Sequence, residues 1–348
     1  MNPYVLAILL SSLGLGTTLT FASSHWLLAW MGLEINTLAI TPLMAQHHHP
    51  RAVEATTKYF LTQATAAAMI LFAATTNAWM TGEWSINELS HPFALAMTIT
   101  ALALKIGLAP MHFWLPEVLQ GLDLLTGLIL STWQKLAPFA LIIQIAPAID
   151  PMILTSLGLT STLIGGWGGL NQTQIRKILA YSSIAHMGWM MIILQYAPQL
   201  TLLALGMYIF MTSTLFLSLK TASATKITTL TTMWSKNPIL ASTTALALLS
   251  LGGLPPLTGF MPKWLILQEM TKQELPLTAT IMALAALLSL YFYLRLCYAM
   301  TLTISPNTVS GKTPWRTQTT QPVMTLALMT TMALGLLPIT PAILMLVT

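Results

Sequence analysis

Four charged residues lie inside long apolar stretches and are the residues best suited to do chemistry. Glu34, Lys105, Lys135 and Lys263 are each flanked by hydrophobic sequence. A charge at mid-bilayer depth costs at least about 2.5 kcal/mol, so it normally pairs, faces water or serves transport. Desolvation favours the neutral forms of lysine and carboxylate, which lets such groups gain and lose protons near neutral pH. These residue types therefore predict a proton relay.

The depth of two of these residues favours a relay over simple packing. With a helical rise of about 1.5 Å per residue, Glu34 lies about 13 Å and Lys135 about 16 Å into their apolar stretches. The alternative is a set of buried ion pairs that only hold helices together. One carboxylate cannot pair with three lysines, so pairing does not account for all four charges.

Two histidines extend the candidate relay, because imidazole titrates near neutral pH. His112 follows Lys105 by seven residues, about two helical turns along a similar face, and His186 lies at the middle of an apolar stretch. For each, a packing histidine held by a hydrogen bond is the alternative. The run His47-His48-His49 lies in a polar break, and adjacent histidines do not converge on one ion by themselves, so we interpret it as a loop and not a metal site.

The elements that carry these residues are predicted to be membrane helices. Hydrophobic residues make up 55% of the 348 residues and charged residues only 7%, whereas a soluble domain carries about a quarter charged residues. Apolar runs of about twenty residues recur, and each can cross about 30 Å of hydrocarbon as a helix. We predict an all-α polytopic bundle with eleven spans at residues 3–22, 25–45, 57–80, 92–117, 124–145, 151–170, 174–195, 200–220, 238–268, 276–300 and 322–346.

The basic loop residues predict the orientation of these spans. If the loops are assigned alternately to two sides, one side holds ten lysines and arginines and the other holds only Lys272. Positive loops stay on the matrix or cytoplasmic side, so the N-terminus is predicted there and the C-terminus on the opposite side. The ten residues are Arg51, Lys58, Arg176, Lys177, Lys220, Lys226, Lys236, Arg295, Lys312 and Arg316.

Composition also excludes several functions. The single cysteine, Cys297, excludes an internal disulfide and a cysteine-held zinc or iron–sulfur site made by this chain alone. Redox chemistry must therefore take place elsewhere. The formal charge of +5 does not indicate nucleic-acid binding, because the basic residues are scattered and lipid head groups account for them better.

Two spans contain paired prolines that are predicted to break their helices. Pro110 and Pro116 lie in the fourth span, and Pro256 and Pro262 lie in the ninth. Proline removes a backbone donor and clashes with the preceding turn, so we expect a mid-membrane break in each span. A lysine lies beside each break, and an offset of five spans orients the two segments oppositely, which is typical of inverted-topology repeats. Ordinary proline kinks would explain the bends but not the lysines.

These patterns predict one membrane domain over residues 1–348. Its parts are N-terminal helices at 1–91, the first broken-helix portion at 92–150 and a second repeat at 151–303. Residues 304–348 are assigned to a loop and a C-terminal helix. Glu83, Glu88, His91 and residues 305–321 are interpreted as surface loops.

Two segments carry a family resemblance. Residues 103–117 read ALKIGLAPMHFWLPE and residues 175–188 read IRKILAYSSIAHMG. They resemble hallmark segments of the antiporter-like membrane-arm subunits of respiratory complex I. Over essentially the whole chain, the start, length and order of motifs are similar to the animal mitochondrial form, in particular that of vertebrates. Bacterial relatives carry three further helices before the glutamate helix.

The resemblance implies a function and a setting. It implies that Glu34 pairs with the broken-helix lysine Lys105, that Lys135 is the central relay lysine, and that Lys263 is the exit-side lysine. It implies a subunit of a proton-pumping NADH:ubiquinone oxidoreductase in the mitochondrial inner membrane, with no cofactor of its own. NADH, FMN, iron–sulfur clusters and ubiquinone would bind to other subunits. The implied partners are neighbouring antiporter-like subunits and membrane lipids, cardiolipin among them.

Two other functions remain open from the residues. A free-standing cation/proton antiporter would use similar relay chemistry, although a sodium path favours oxygen ligands and Glu34 is the only central carboxylate. A scaffold without transport is the third hypothesis. An antiporter would purify without flavin, and a scaffold would tolerate neutral replacements at all three lysines.

Overall fold

A computed structural model describes residues 2–46, 49–302 and 323–347 of the chain. These residues form helices and no strand, and two isolated bridges join His25 to Ser85 and Gln174 to Lys226. Within the described residues, six helices are long and apolar enough to cross a membrane, which agrees with the predicted all-α membrane bundle. They are Pro3–Ala22, Trp26–Met44, Pro50–Thr81, Leu124–Ala148, Pro198–Thr221 and Pro276–Thr301.

The chain divides into two compact units, Met1–Leu157 and Gly158–Thr348. The first unit contains α1 to α7, and α8 contains the boundary between the units. The helices up to that boundary are α1 (Pro3–Ala22), α2 (Trp26–Met44), α3 (Pro50–Thr81), α4 (Pro92–Ile106), α5 (Trp114–Gly121), α6 (Leu124–Ser131), α7 (Trp133–Ile145) and α8 (Pro151–Gly168).

The second unit contains the remaining helices. They are α9 (Ile175–Ile193), α10 (Pro198–Thr221), α11 (Ile227–Thr231), α12 (Met233–Lys236), α13 (Pro238–Gly252), α14 (Phe260–Lys272), α15 (Pro276–Thr301), α16 (Val323–Gly335) and α17 (Thr340–Val347). The short helices α11 and α12 lie where the sequence predicts only a loop.

Three predicted spans differ from the structure, each in a local feature. The third span begins at Pro50 and not at residue 57, because Pro50 is the first helical residue and the His49 ring accepts a hydrogen bond from the Arg51 amide. The span predicted at 124–145 is present as the apolar segment Leu124–Ala148, but its helix is interrupted at Thr132. The predicted span 322–346 is two helices, α16 and α17, with a 3-10 turn at Leu337–Ile339 between them.

Both predicted helix breaks are present, but each is built around a glycine. Gly107 ends α4 at φ +83° and Gly253 ends α13 at φ +79°, in the left-handed region that glycine adopts at little cost. A cis peptide bond follows at Pro110 and at Pro256. The second proline of each predicted pair, Pro116 or Pro262, lies instead in the first turn of α5 or α14. Proline is tolerated there, because an N–H in the first turn has no helical partner.

A close helix crossing recurs in each unit. In the first unit, a Cβ on Gly16 of α1 would lie 2.8 Å from the Gly32 carbonyl oxygen of α2, and the reverse distance is also 2.8 Å. In the second unit, Gly158 of α8 and Gly188 of α9 approach in the same way, at 2.9 and 2.8 Å. A threonine four residues after the first glycine, Thr20 or Thr162, lies against the partner glycine in both crossings. Small residues allow such close backbone contact between membrane helices.

Candidate functional site

Lys105 lies in the last turn of α4, next to the first break. Its side chain is 5% exposed, and its Nζ has no hydrogen-bond partner in the described part of the chain. Gly107 closes the helix two residues later, and its amide donates to the carbonyls of Ala103 and Leu104. The break thus leaves a buried amine at the end of a helix, where the C-terminal end of the helix dipole favours a cation.

Lys135 is carried by a distorted helix. Thr132 separates α6 from α7 with φ −112° and ψ −68°, and its hydroxyl donates to the Leu128 carbonyl oxygen at 2.7 Å. Pro138 lies inside α7 and has no N–H to donate to the preceding turn. Lys135 is 2% exposed between these two features. Its burial was predicted from the sequence, but the interruption at Thr132, three residues earlier, was not.

One cavity in the first unit brings Lys105 and Lys135 together. Its volume is about 10 Å³, about the smallest that holds one water molecule. Side chains from six helices line it. They are Leu33, Asn36 and Thr37 of α2; Tyr59 and Gln63 of α3; Lys105 and Ile106 of α4; Trp114 and Leu115 of α5; Leu130 of α6; and Gln134, Lys135, Ala137 and Pro138 of α7.

The three amide side chains of this cavity were not predicted from the sequence. Asn36, Gln63 and Gln134 lie inside apolar helices, and Asn36 and Gln63 are 2% and 3% exposed. The side-chain amide of Gln134 donates to the backbone carbonyl oxygen of Asn36 at 3.3 Å. An amide inside a membrane span is a usable signal, because burying it without a partner is costly. The candidate relay residues were chosen only among charged residues and histidines, so these amides were left out.

Glu34 lies on α2 beside the cavity and is half-buried. One of its carboxylate oxygens, Oε2, is buried without a hydrogen-bond partner among the described residues. Among those residues the ion pairs within 4.0 Å join Lys58 to Glu54, Lys58 to Glu117 and Lys272 to Glu269. Glu34 and Lys105 are therefore not in direct contact, although they interact electrostatically.

The second unit has its own cavity, also of about 10 Å³. Lys263, in the first turn of α14, donates from Nζ to the Gly252 carbonyl oxygen at 2.8 Å. Pro256 cannot supply the N–H that a continuing helix would give this carbonyl. His186 lies in α9, and its ring centroid is 5.7 Å from that of Tyr208. The cavity is lined by His186, Trp189, Met190, Ala204, Met211, Pro262, Lys263 and Ile266.

The helical argument for His112 was wrong. Because α4 ends at Ile106, His112 lies in the nonhelical segment of the break and not two turns along the face of Lys105. The residue is 4% exposed and its ring centroid is 4.4 Å from that of Phe113. It is not among the residues that line the cavity of Lys105 and Lys135.

The other singled-out polar residues that the structure describes do not line either cavity. His49 caps α3, while His47, His48 and residues 305–321 lie outside the described residues. In the segment between α3 and α4, the Ser85 hydroxyl donates to Glu88, and a hydrogen bond with the Glu88 carboxylate raises the pKa of Glu83. The described part of the chain contains no group of three or more histidine, cysteine, aspartate or glutamate side chains that could hold a metal ion.

Comparisons with known proteins agree with this geometry. The model for the transmembrane region of NADH:quinone oxidoreductases and Mrp antiporters matches residues 23–289, and the model for the C-terminus of NADH dehydrogenase subunit 2 matches residues 290–344. A chain of respiratory complex I from Thermus thermophilus with bound aureothin has a TM-score of 0.86 and 28% identity, over 99% of this chain and 80% of that one. A chain of the Mrp complex from Dietzia has a TM-score of 0.79 and 18% identity, over 90% and 64%, and therefore shares the fold.

Fold and buried lysines thus define an antiporter-like membrane subunit. The NADH-ubiquinone oxidoreductase chain 2 of Carassius auratus is 83% identical over 348 residues, which are 100% of both chains. This chain belongs to the family of NADH-ubiquinone oxidoreductase chain 2.

Proposed function

We propose that this chain carries protons across the mitochondrial inner membrane as a core membrane-arm subunit of NADH:ubiquinone oxidoreductase. The observation that carries the proposal is the shared cavity of Lys105 and Lys135, two lysines that are 5% and 2% exposed. A buried amine exchanges a proton at low cost, because desolvation removes much of its preference for the charged form. Membership of the family supports the enzyme assignment.

Each unit contributes its own titratable groups. In the first unit, Glu34 sets the electrostatic field at Lys105, which exchanges a proton with Lys135 across the cavity. In the second unit, Lys263 and His186 line one cavity and exchange a proton there. His112 lies buried in the first break and is a lesser candidate, because the cavity of the two lysines does not include it.

The electron-transfer cofactors belong to the rest of the complex. NADH, FMN, iron–sulfur clusters and ubiquinone bind to other subunits, and this chain takes part through its protons. Its neighbours are antiporter-like subunits and membrane lipids, including cardiolipin. Exposed apolar side chains on several helices, such as Trp79, Trp167 and Ile239, support such contacts.

We propose an orientation with the N-terminus in the matrix and the C-terminus in the intermembrane space. The basic loop residues carry this assignment. A protease or label added to intact mitoplasts should not reach the loop around Arg176 and Lys177 before matrix markers are exposed. Early cleavage or labelling of that loop would overturn the orientation.

Replacing Lys135 tests the relay. Lys135→Met, made at the aligned position of a bacterial relative, should lower the number of protons pumped per electron while the assembled enzyme keeps all its redox centres. Lys220→Met is the matched control, since Lys220 is exposed near the end of α10. An unchanged proton-to-electron ratio in the Lys135 variant would reject the relay.

A stand-alone cation/proton antiporter is the second candidate, and the fold shared with the Mrp complex favours it. Purification of the native assembly separates the two proposals. The complex I assignment requires flavin and iron–sulfur clusters to copurify with this chain. Recovery of the chain without flavin, together with sodium-dependent proton uptake, would support the antiporter.

A further inference from the structure

Two amides in the cavity of the first unit have polar atoms that no group in the described part of the chain satisfies. Both polar atoms of the Asn36 side chain and the Gln63 Nε2 are buried without a hydrogen-bond partner among the described residues, as is the Lys105 Nζ. Asn36 and Gln63 lie on α2 and α3, and both line the cavity that contains Lys105 and Lys135. Unpaired hydrogen-bond donors and an unpaired acceptor from α2, α3 and α4 therefore converge on the same cavity.

Packing alone does not account for Asn36. A Cβ on Gly16 would lie 2.5 Å from the Asn36 Oδ1, so α1 carries a glycine where it faces this amide. The corresponding crossing of the second unit has the same glycines, and the side chain that lies against Gly158 is Ile192. Ile192 stands four residues after Gly188, as Asn36 stands four after Gly32. An aliphatic side chain therefore suits this crossing, and the amide must have another use.

The cavity has the size and the chemistry of a water site. Its volume of about 10 Å³ matches the roughly 10–15 Å³ that one water needs, and a buried water normally makes two to four hydrogen bonds. Asn36 offers a donor and an acceptor, Gln63 offers a donor, and the two lysines offer amines. A water bound here would satisfy groups that otherwise pay the full cost of burial.

We propose that Asn36 and Gln63 hold a water molecule between Lys105 and Lys135, and that they are positioning residues for proton transfer between the two amines. This proposal rests on the relay function proposed above. The Lys105 ammonium gives a proton to the water oxygen, and the same water gives a different proton to the neutral Lys135 amine. One N–H bond breaks and one forms, and the water is regenerated. The amides fix the orientation in which the water accepts a hydrogen bond from the Lys105 ammonium and donates one to the Lys135 amine.

Near-isosteric replacements of the amides test the proposal in the assembled complex. We expect Asn36→Leu and Gln63→Leu to slow proton transfer in this subunit about tenfold, equivalent to 1.4 kcal/mol in the barrier. The proton-to-electron ratio should then fall to the value of the Lys135→Met complex, with the redox centres retained. Asn36→Ser keeps a hydroxyl and the space for water, so it should retain most of the transport.

Asn77→Leu is the matched control for loss of a buried amide. Asn77 is fully buried on α3, but its side chain donates to the Glu83 and Glu88 carbonyl oxygens outside the cavity. Its replacement should lower stability without changing the proton-to-electron ratio of the complexes that assemble. An equal fall in the ratio for Asn77→Leu and Asn36→Leu would overturn the positioning role.

A density map of the unmodified complex that resolves waters keeps the proposal testable if the leucine variants fail to assemble. We expect a peak within hydrogen-bond distance of the Asn36 amide and at least one of the two lysines. A clear map without this peak would overturn the proposal. If Lys135→Met lowers the proton-to-electron ratio and the leucine variants do not, the positioning role fails while the relay stands. If Lys135→Met leaves the ratio unchanged, the relay itself fails.

Discussion

The two broken helices have the same backbone plan but place their lysines on opposite sides of the break. Gly107 and Gly253, which both have positive φ, are 146 residues apart (253 − 107), and so are the cis prolines Pro110 and Pro256 (256 − 110). At this offset Lys105 corresponds to Leu251, and Lys263 corresponds to Glu117. The backbone device has thus been kept while the charge has moved.

The position of each lysine relative to its break determines whether its amine also makes a structural hydrogen bond. In the second break the Lys263 ammonium satisfies the Gly252 carbonyl, which Pro256 leaves without a helical partner. In the first break the Trp114 indole donates to the Leu104 carbonyl oxygen at 2.9 Å, and Lys105 makes no hydrogen bond to the described residues. Lys263 therefore combines a structural hydrogen bond with its proposed proton transfer, whereas the Lys105 amine makes no such bond to the part of the chain that the structure describes.

Methionine substitutions at the two lysines should give the largest effects and should separate the two breaks. Lys105→Met and Lys263→Met are each expected to abolish the contribution of this subunit to pumping. Lys263→Met should also destabilise the complex by about 1–3 kcal/mol, because it orphans a buried carbonyl. Proton-to-electron ratio and thermal stability of the purified complex measure the two effects. Equal losses of stability in both variants would contradict the difference between the breaks.

Alanine at the two glycines should have the next largest effects. Each alanine must adopt positive φ, at a cost of about 1–2 kcal/mol. A Cβ on Gly253 would lie 2.9 Å from Lys263 Cδ, and a Cβ on Gly107 would lie 2.9 Å from Leu115 Cδ1. We expect both variants to lose stability but only Gly253→Ala to pump less per assembled complex. Gly14→Ala, with no atom within 4 Å of its Cβ, is the control and should not lose stability.

A double-mutant cycle between Glu34 and Lys105 should show a smaller effect, a weak coupling energy between the two residues. Removal of either charge should reduce pumping, since Glu34 acts on Lys105 electrostatically. The coupling energy in stability should be above zero but below about 1 kcal/mol, because no direct ion pair joins them and coupling is largest for residues in contact. Glu34 lies two residues after Gly32, and the residue two after Gly188 is Met190, so this acid belongs to the first unit alone. A coupling of several kcal/mol would indicate a closed ion pair, and strict additivity would assign Glu34 to packing.

The smallest effect is expected at Glu117, the counterpart of Lys263. Its carboxylate accepts from Lys58 Nζ at 2.8 Å, with side chains 55% and 43% exposed. Exposed ion pairs contribute about 0–1 kcal/mol and weaken with salt. Glu117→Gln should therefore change thermal stability by less than about 1 kcal/mol and leave pumping unchanged. A loss of pumping would give Glu117 a role like that of Lys263.

Sequence patterns predicted the all-α membrane bundle and the two helix breaks because their causes are local. Apolar run length, proline and buried charge are visible in a few consecutive residues, and Lys105, Lys135 and Lys263 follow from them. The role of glycine at the first break was missed, because the break was attributed to Pro110 and Pro116. In the structure the helix ends at Gly107, which has a positive φ. His112 was misplaced for the same reason, since its predicted face assumed a helix that continued past Ile106.

The cavity of the first unit could not be predicted in the same way. It is formed by six helices, and the convergence of Asn36, Gln63 and Gln134 depends on distances between residues up to 98 positions apart in sequence. The distortion at Thr132 likewise depends on how its hydroxyl bonds to Leu128. Sequence gives the buried polar residues, and only the packing shows which of them meet.

The volume of the first cavity bears on ion selectivity. A space of about 10 Å³ admits one water, whereas a sodium ion needs several oxygen ligands in place of its hydration shell. The two lysine amines that line it can take up and release a proton, and they repel a metal ion when they are charged. A cavity of this kind would select between ions by size and by charge. It would allow a proton to be transferred but exclude a sodium ion.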